Sequence, residues 1–240
     1  DAARTGVRPL QRPARHLYVL RKAVLLSHSK QFLFVHIAKT GGTSVRAALS
    51  RYRWGHRYAL AQFICNKMSQ FTDHKIASRF PRHSRIIAAK EMLPETYFNQ
   101  LFKFAVVRNP WDLQVSSFHH IKRERPAVMQ GYNDFESFMK WKFDEQRPYQ
   151  YHIDTSLQLQ TEYLVDLSGN LLTDFIGRYE QLEHDFGHIC SQLKLSNITL
   201  PHRRKADNRE DYRRYYNSEL VDLVSAHFQK DIALLNYTFE

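Results

Sequence analysis

Phe32-Leu-Phe-Val-His-Ile-Ala-Lys39-Thr-Gly-Gly-Thr-Ser44-Val-Arg-Ala-Ala-Leu49 is the stretch that decides the fold. Residues 32–37 form a short apolar run and read as a buried strand. Ala38, Lys39, Thr40, Gly41 and Gly42 make a loop with one cation and two glycines. Thr43 or Ser44 then opens a helix whose apolar positions are Val45, Ala48 and Leu49. Strand, glycine loop and helix N-terminus, in that order, make a cradle for phosphate. Glycine lets backbone approach an anion closely. The first N–H groups of a helix lack intrahelical partners, and the positive end of its dipole points the same way. Lys39 adds a full charge, and the Thr43 and Ser44 hydroxyls add donors.

The order of lysine and glycine separates this loop from a Walker A sequence, which runs Gly, four residues, then Gly-Lys-Ser/Thr. Here the lysine comes first. No apolar strand ending in Asp supplies a magnesium ligand, so an ordinary ATPase is disfavoured.

The chain has 240 residues, enough for one large domain or two small ones. Its hydrophobic share, 43%, is that of an ordinary globular protein. No run approaches the ~20 apolar residues of a membrane span. No signal peptide is visible, although the chain begins at Asp1, which leaves room for an upstream anchor. Lys plus Arg number 35 against 24 Asp plus Glu, a formal charge of +11. That balance suits an anionic partner: a nucleotide, a nucleic acid, an acidic polymer or a membrane surface. The two cysteines, Cys65 and Cys190, are too few for a disulfide framework and have no zinc spacing. They read as buried thiols, with one long-range disulfide as the alternative. Asn197-Ile-Thr199 and Asn236-Tyr-Thr238 match the glycosylation sequon, a pattern too short to fix a compartment.

Along the chain, residues 1–30 read as a basic Arg/Pro-rich arm followed by a short helix over 17–26. Residues 31–240 read as a single domain. Beyond the first strand and helix, residues 91–102 carry helical spacing with Pro94 as a break. Residues 102–107 form a second strong strand. It ends at Arg108-Asn109-Pro110, where proline removes a donor. A helix over 111–123 follows, with Pro110 near its first position. Residues 135–143 are helical in spacing, and 144–157 read as a polar, aromatic surface loop. Residues 161–166 read as a strand, Ser168-Gly169-Asn170 as a turn, and 171–179 as its continuation. Helices over 182–193 and 218–235 flank a very basic loop at 201–211. The assembly expected is α/β, with a mainly parallel central sheet flanked by helices.

A second anion motif follows the second strand: Val106-Val107-Arg108-Asn109-Pro110-Trp111-Asp112, with Ser116 eight residues after the arginine. With a helix starting near Pro110, Ser116 lies about two turns in. Arg108 and Ser116 then reach one anion, the arginine by its charged fork and the serine by its hydroxyl. Phe104, Trp111 and Phe118 near these motifs read as core. His119-His120 reads as a solvated face rather than a metal pair, because adjacent residues on a helix diverge.

Taken together, the two motifs resemble the sulfotransferases that use 3′-phosphoadenosine-5′-phosphosulfate (PAPS), most closely the carbohydrate-type and bacterial members grouped as family 2. The resemblance extends to Phe102-Lys103-Phe104, to Asp174-Phe-Ile-Gly-Arg-Tyr-Glu180 and to Asp231-Ile232. The two motifs stand in the family's order, about 65 residues apart. It implies a P-loop NTPase-like core. It implies that Lys39, Thr40, Gly41, Gly42, Thr43 and Ser44 hold the 5′-phosphosulfate, and that Arg108 and Ser116 hold the 3′-phosphate. The reaction implied is metal-independent, in-line transfer of the sulfuryl group from PAPS to an acceptor hydroxyl, leaving adenosine 3′,5′-bisphosphate (PAP). Lys39 would act catalytically at the leaving phosphate oxygen.

A general base must take the acceptor's proton. The family often has a histidine in the segment that here reads Arg82-His83-Ser84-Arg85, which points to His83; His56, His74 and Glu91 are rivals. His202-Arg203-Arg204-Lys205 departs from the family. Lys205 closes over the 3′-phosphate, grips an acidic acceptor, or is solvated. Two other functions stand beside sulfuryl transfer: a nucleotide kinase or NTPase with a divergent phosphate loop, and a basic nucleic-acid-binding module. The first wants a magnesium carboxylate and the second a recognisable module; the sequence offers neither. Charge favours a carbohydrate or acidic acceptor. The compartment is the cytosol for a bacterial member, or the Golgi lumen for a eukaryotic one with its anchor removed.

Overall fold

The structure, a computed structural model, describes residues 25–53, 83–129, 131–132, 134–201 and 210–240; elements are numbered in chain order among these. Its axis is β3, Phe102–Val107. Successive side chains of a strand point to opposite faces. Phe104 and Val106 enter one apolar cluster with Phe32, Phe34, Val45 and Phe186. Ala105 and Val107 enter the other, with Leu33, Val35, Val115 and Phe118. Both faces are covered, so from Phe104 to Val107 the strand reads as a continuous apolar run rather than an alternating one. Phe104, Trp111 and Phe118 are indeed core.

Parallel partners flank β3 on both sides. On one side is β2, Phe32–Val35, with Phe32 opposite Phe102 and Val35 opposite Ala105. On the other is β4, Phe175–Arg178, with Phe104 opposite Phe175 and Val107 opposite Arg178. Beyond β2, β1 (Leu25–Ser27) pairs antiparallel and completes the order β1-β2-β3-β4. The expected mixed α/β class, with a mostly parallel sheet flanked by helices, is what the chain forms. Among the described residues no helix is long and apolar enough to cross a membrane.

Helix α1, Gly42–Leu49, follows β2 and packs Val45 and Leu49 onto the Phe34–Phe104 face. Next come α2, Ile86–Met92, and α3, Glu95–Gln100, separated at Leu93 and Pro94 as the proline predicts. Helix α4, Pro110–Glu124, starts with Pro110 in its first turn. The Asn109 side chain caps it, accepting from Trp111 N at 3.0 Å and Asp112 N at 3.3 Å. Then follow α5, Phe135–Lys142, α6, Tyr151–Asp154, and α7, Leu182–Gln192, which packs Phe186 and Ile189 on the α1 side. The expected 218–235 helix is two, α8 (Ser218–His227) and α9 (Gln229–Leu235), hinged at the buried Phe228.

Three expectations are corrected. Leu25 and Leu26 are strand, not the end of a helix, because pairing with Phe34 and Leu33 outweighs helical spacing; residues 1–24 lie outside the described residues. Residues 144–157 are not merely loop. They carry α6, fixed by Arg147, which donates to Asp154 Oδ1 at 2.6 Å and Oδ2 at 3.1 Å. Residues 161–166 are not a strand. Thr161–Tyr163 is a 3-10 turn, and only a single bridge, Val165 to Leu171, follows.

That turn has a definite cause. The fully buried Asp231 of α9 accepts from Gln160 N at 2.8 Å and Thr161 N at 2.9 Å. Burial raises its carboxyl above the ordinary carboxylate range, partly offset by the two amides. Gln160 in turn exchanges two hydrogen bonds with the backbone of Arg108: Arg108 N donates to Oε1 at 2.9 Å, and Nε2 donates to Arg108 O at 2.8 Å. Asp231→Ala would strand two buried N–H groups and is expected to cost about 3 kcal/mol. The check is a lowered urea midpoint with an unchanged slope.

Candidate active site

All three parallel strands deliver their carboxyl ends to one side of the sheet, where open α/β sheets bind ligands. A cleft of about 1110 Å³ opens there. From β2 come His36, Lys39, Gly41, Gly42, Thr43 and Ser44; from β3 and α4 come Arg108, Asp112, Ser116 and His120. The segment after β4 adds Tyr179 and Glu180, and the α6 segment adds Tyr151, His152, Thr155 and Ser156. His83 stands before α2 and also lines the cleft.

The loop after β2 is shaped by two left-handed residues, Lys39 at φ 68° and Gly41 at φ 79°. Gly41 precedes α1 and accepts from Ser44 N at 2.9 Å, closing the first turn. Gly42 is required by space. A Cβ there would lie 2.4 Å from Cδ2 and 2.6 Å from Nε2 of His36, a buried ring between Phe34 and His83. The glycine backbone at this helix N-terminus is thus fixed by the His36 ring behind it.

Arg108 joins the two motifs. Its side chain is only 4% exposed. Nε donates to Asp112 Oδ2 at 2.7 Å and Nη1 to the Lys39 carbonyl at 3.0 Å. The guanidinium carbon lies 3.8 Å from the centre of the Tyr179 ring. Burial pulls the arginine down to about 10, partly offset by Tyr179, Glu180 and Tyr237, so it stays charged at neutral pH. Glu180 braces the neighbouring backbone, accepting from Asn109 N at 2.6 Å and Tyr237 Oη at 3.1 Å. Asn109 Nδ2 donates to Thr238 O at 2.9 Å. Two of the cleft's carboxylates, Asp112 and Glu180, are thus committed to holding the wall.

His83 Nδ1 lies 2.8 Å from the His36 carbonyl. A carbonyl only accepts, so Nδ1 carries the hydrogen, and Nε2 is the basic nitrogen of the neutral ring. The two rings meet edge to face at 4.9 Å.

Of the ten residues predicted for the site, eight line this cleft: Lys39, Gly41, Gly42, Thr43, Ser44, His83, Arg108 and Ser116. Thr40 turns inward; it is fully buried and its hydroxyl donates to Ile37 O at 3.1 Å. Lys205 lies outside the described residues, as do Cys65 and the rival bases His56 and His74. Glu91 is exposed on α2 and does not line the cleft. The expected solvated His119-His120 face is corrected. His120 lines the cleft, and His119 is half-buried with Nε2 2.9 Å from Tyr215 Oη. Burial and Lys122 hold His119 below the usual histidine range. Sequence reasoning also missed His36, Asp112, Tyr179, Glu180, His152 and Ser156. A polar residue closing an apolar strand was a signal for His36. The i to i+4 spacing from Arg108 was one for Asp112.

A model of the sulfotransferase family matches residues 22–238. The chain belongs to this family, as its family 2 motifs led one to expect, and is a transferase enzyme that moves sulfuryl groups. The family has a P-loop-like fold and generally uses PAPS as donor. A search of curated proteins finds no match.

Gly42→Ala is expected to destabilise the protein by about 1–3 kcal/mol, by forcing the loop and His36 apart. Combining it with His36→Ala should restore part of the loss, which a double-mutant cycle in urea unfolding would read.

Proposed function

We propose that the donor is PAPS and that the acceptor is a hydroxyl, on a carbohydrate or on an acidic molecule. The observation that carries this is the 3.0 Å bond from Arg108 Nη1 to the Lys39 carbonyl. It makes one cleft of two anion motifs, as a donor with phosphate at both ends requires. A glycine loop at the N-terminus of α1 suits an oxyanion, and the volume leaves room for an acceptor beside the nucleotide.

In this reading the α1 N-terminus, Lys39, Thr43 and Ser44 hold the 5′-phosphosulfate, and Arg108 with Ser116 holds the 3′-phosphate. The reaction joins the acceptor oxygen to sulfur, breaks the bond from sulfur to the 5′-phosphate oxygen, and leaves PAP. His83 Nε2 takes the acceptor's proton, with the ring held by its bond to His36 O. Lys39 and the α1 amides stabilise charge on the departing phosphate oxygen without reorganising. The chain's +11 charge supports an acidic acceptor.

Thermal shift separates this from the rival functions. PAP should raise the melting temperature at concentrations where magnesium-ATP and a short oligonucleotide do not. Stabilisation by magnesium-ATP alone would sink the reading in favour of a kinase or NTPase, and by the oligonucleotide alone in favour of a nucleic-acid module. His83→Ala should keep PAP affinity while turnover with labelled PAPS and an acceptor panel falls about 10²–10⁴-fold. Unchanged turnover would remove His83 as the base.

A further inference from the structure

Lys142 ends α5 and is fully buried. Lysine is almost never fully buried unless it is paired. Here Nζ donates to three neutral oxygens: Gln114 Oε1 at 2.6 Å, Ser156 Oγ at 2.8 Å and Ser117 Oγ at 3.1 Å. Three acceptors match the three donors of an ammonium. The Gln114 amide is oriented for this, because its Nε2 donates to Ser156 O at 3.0 Å and so turns Oε1 to the lysine. The serines are themselves coupled, with their hydroxyl oxygens 2.9 Å apart.

No carboxylate among the described residues forms an ion pair with Lys142. Asp154, which attracts it, is committed to Arg147 through two hydrogen bonds. The other charges that bear on it, Arg147 from the segment after α5 and Lys39 from the loop after β2, repel it. Hydrogen bonds satisfy the ammonium's donors but do not neutralise its charge, which is costly to hold in a low dielectric. Its position supplies a reason for keeping it. Ser156 lines the cleft, as does Ser116, which precedes Lys142's partner Ser117. The ammonium therefore stands one hydrogen bond behind the wall, and charge acts strongly across so short a span of protein.

We propose that Lys142 is a positioning residue for the anionic donor: its ammonium, held behind the Ser156 wall, provides the buried counter-charge for oxyanions bound in the cleft. This rests on the reading above only in requiring that the ligand be an oxyanion. A linkage follows. Burial, Arg147 and Lys39 hold Lys142 well below the ordinary lysine range, and a bound oxyanion pushes it back up. Between those two values the complex holds more protons than the free protein. Binding then takes up protons and weakens as pH rises through the window.

Titration calorimetry of the whole chain tests this, with PAP, inorganic sulfate and uncharged adenosine as probes, in buffers of different ionisation enthalpy. For wild type, proton uptake should accompany PAP and sulfate. In Lys142→Met, provided circular dichroism shows it folded, affinity for both anions should fall at least about tenfold. Part of the uptake should vanish, and adenosine binding should be unchanged. The difference between the two proteins is the readout. A second measurement needs no variant: the Lys142 Cε resonance of wild type should titrate at higher pH with PAP or sulfate bound. Unchanged anion affinity in a folded Lys142→Met protein, equal loss for adenosine, or an unmoved Lys142 titration would each overturn the proposal. If wild type binds sulfate but not PAP, the donor reading fails, and Lys142 is judged on sulfate alone.

Discussion

A guanidinium taken out of water must find its partners where it lies, and Arg108 finds them beyond three strand ends. Helix α4, which follows it, supplies Asp112 and the loop after β2 supplies the Lys39 carbonyl, both by hydrogen bonds; the segment after β4 supplies the Tyr179 ring, by cation–π contact. The Lys39 carbonyl is held by a residue at φ 68°. A left-handed backbone costs a non-glycine residue roughly 1–2 kcal/mol. A buried hydrogen bond to a charged group contributes about 1.5–3 kcal/mol. The bond is large enough to hold the loop in its strained shape. The geometry of the first anion motif is therefore partly a consequence of the second.

The same arginine is fixed from behind. Asp231 shapes the Gln160 turn, and Gln160 clasps both backbone polar groups of Arg108. Tyr237 and Glu180 hold the next residue, Asn109, whose side chain both caps α4 and reaches Thr238 O. Residues 231–238 thus reach the end of β3 by two routes. These contacts are buried or part-buried, and several involve a carboxylate acceptor, so they place Arg108 more firmly than apolar packing alone.

The fold was legible where one physical signal dominated. Apolar runs, unbroken in β2 and interrupted by Lys103 in β3, gave both strands, and Pro110 after Asn109 gave the start of α4. Glycines beside a lysine gave the cradle. Signals failed where a distant partner decides the local state. Residues 161–166 look extended, but Asp231, some seventy residues on, bends their start into a turn. Leu25 and Leu26 fit a helix until β2 offers them a partner. Residues 144–157 look like surface, because nothing local reveals that Arg147 and Asp154 fold them back over the cleft. Thr40 shares a motif with cleft residues, yet one left-handed residue before it turns its side chain into the core. In the site, Lys39, Arg108, the two glycines, Ser44, Ser116 and His83 were readable from their motifs or segment. His36, His152, Ser156 and the bracing carboxylates Asp112 and Glu180 were not, since those residue types are common and only topology brings them together.

The bonds from Asp231, Tyr237 and Thr238 have a consequence during synthesis. A nascent chain carries both anion motifs once Ser116 has emerged, yet these tethers of Arg108 and Asn109 are encoded some 115 residues or more later. At roughly 5–20 residues per second, that gap lasts on the order of ten seconds. During it the sheet can form while the arginine at its edge lacks part of its brace. Completion of the cleft's arginine wall therefore waits on residues 231–238, as does the core cluster that takes in Leu220, Val224, Phe228, Leu235 and Tyr237.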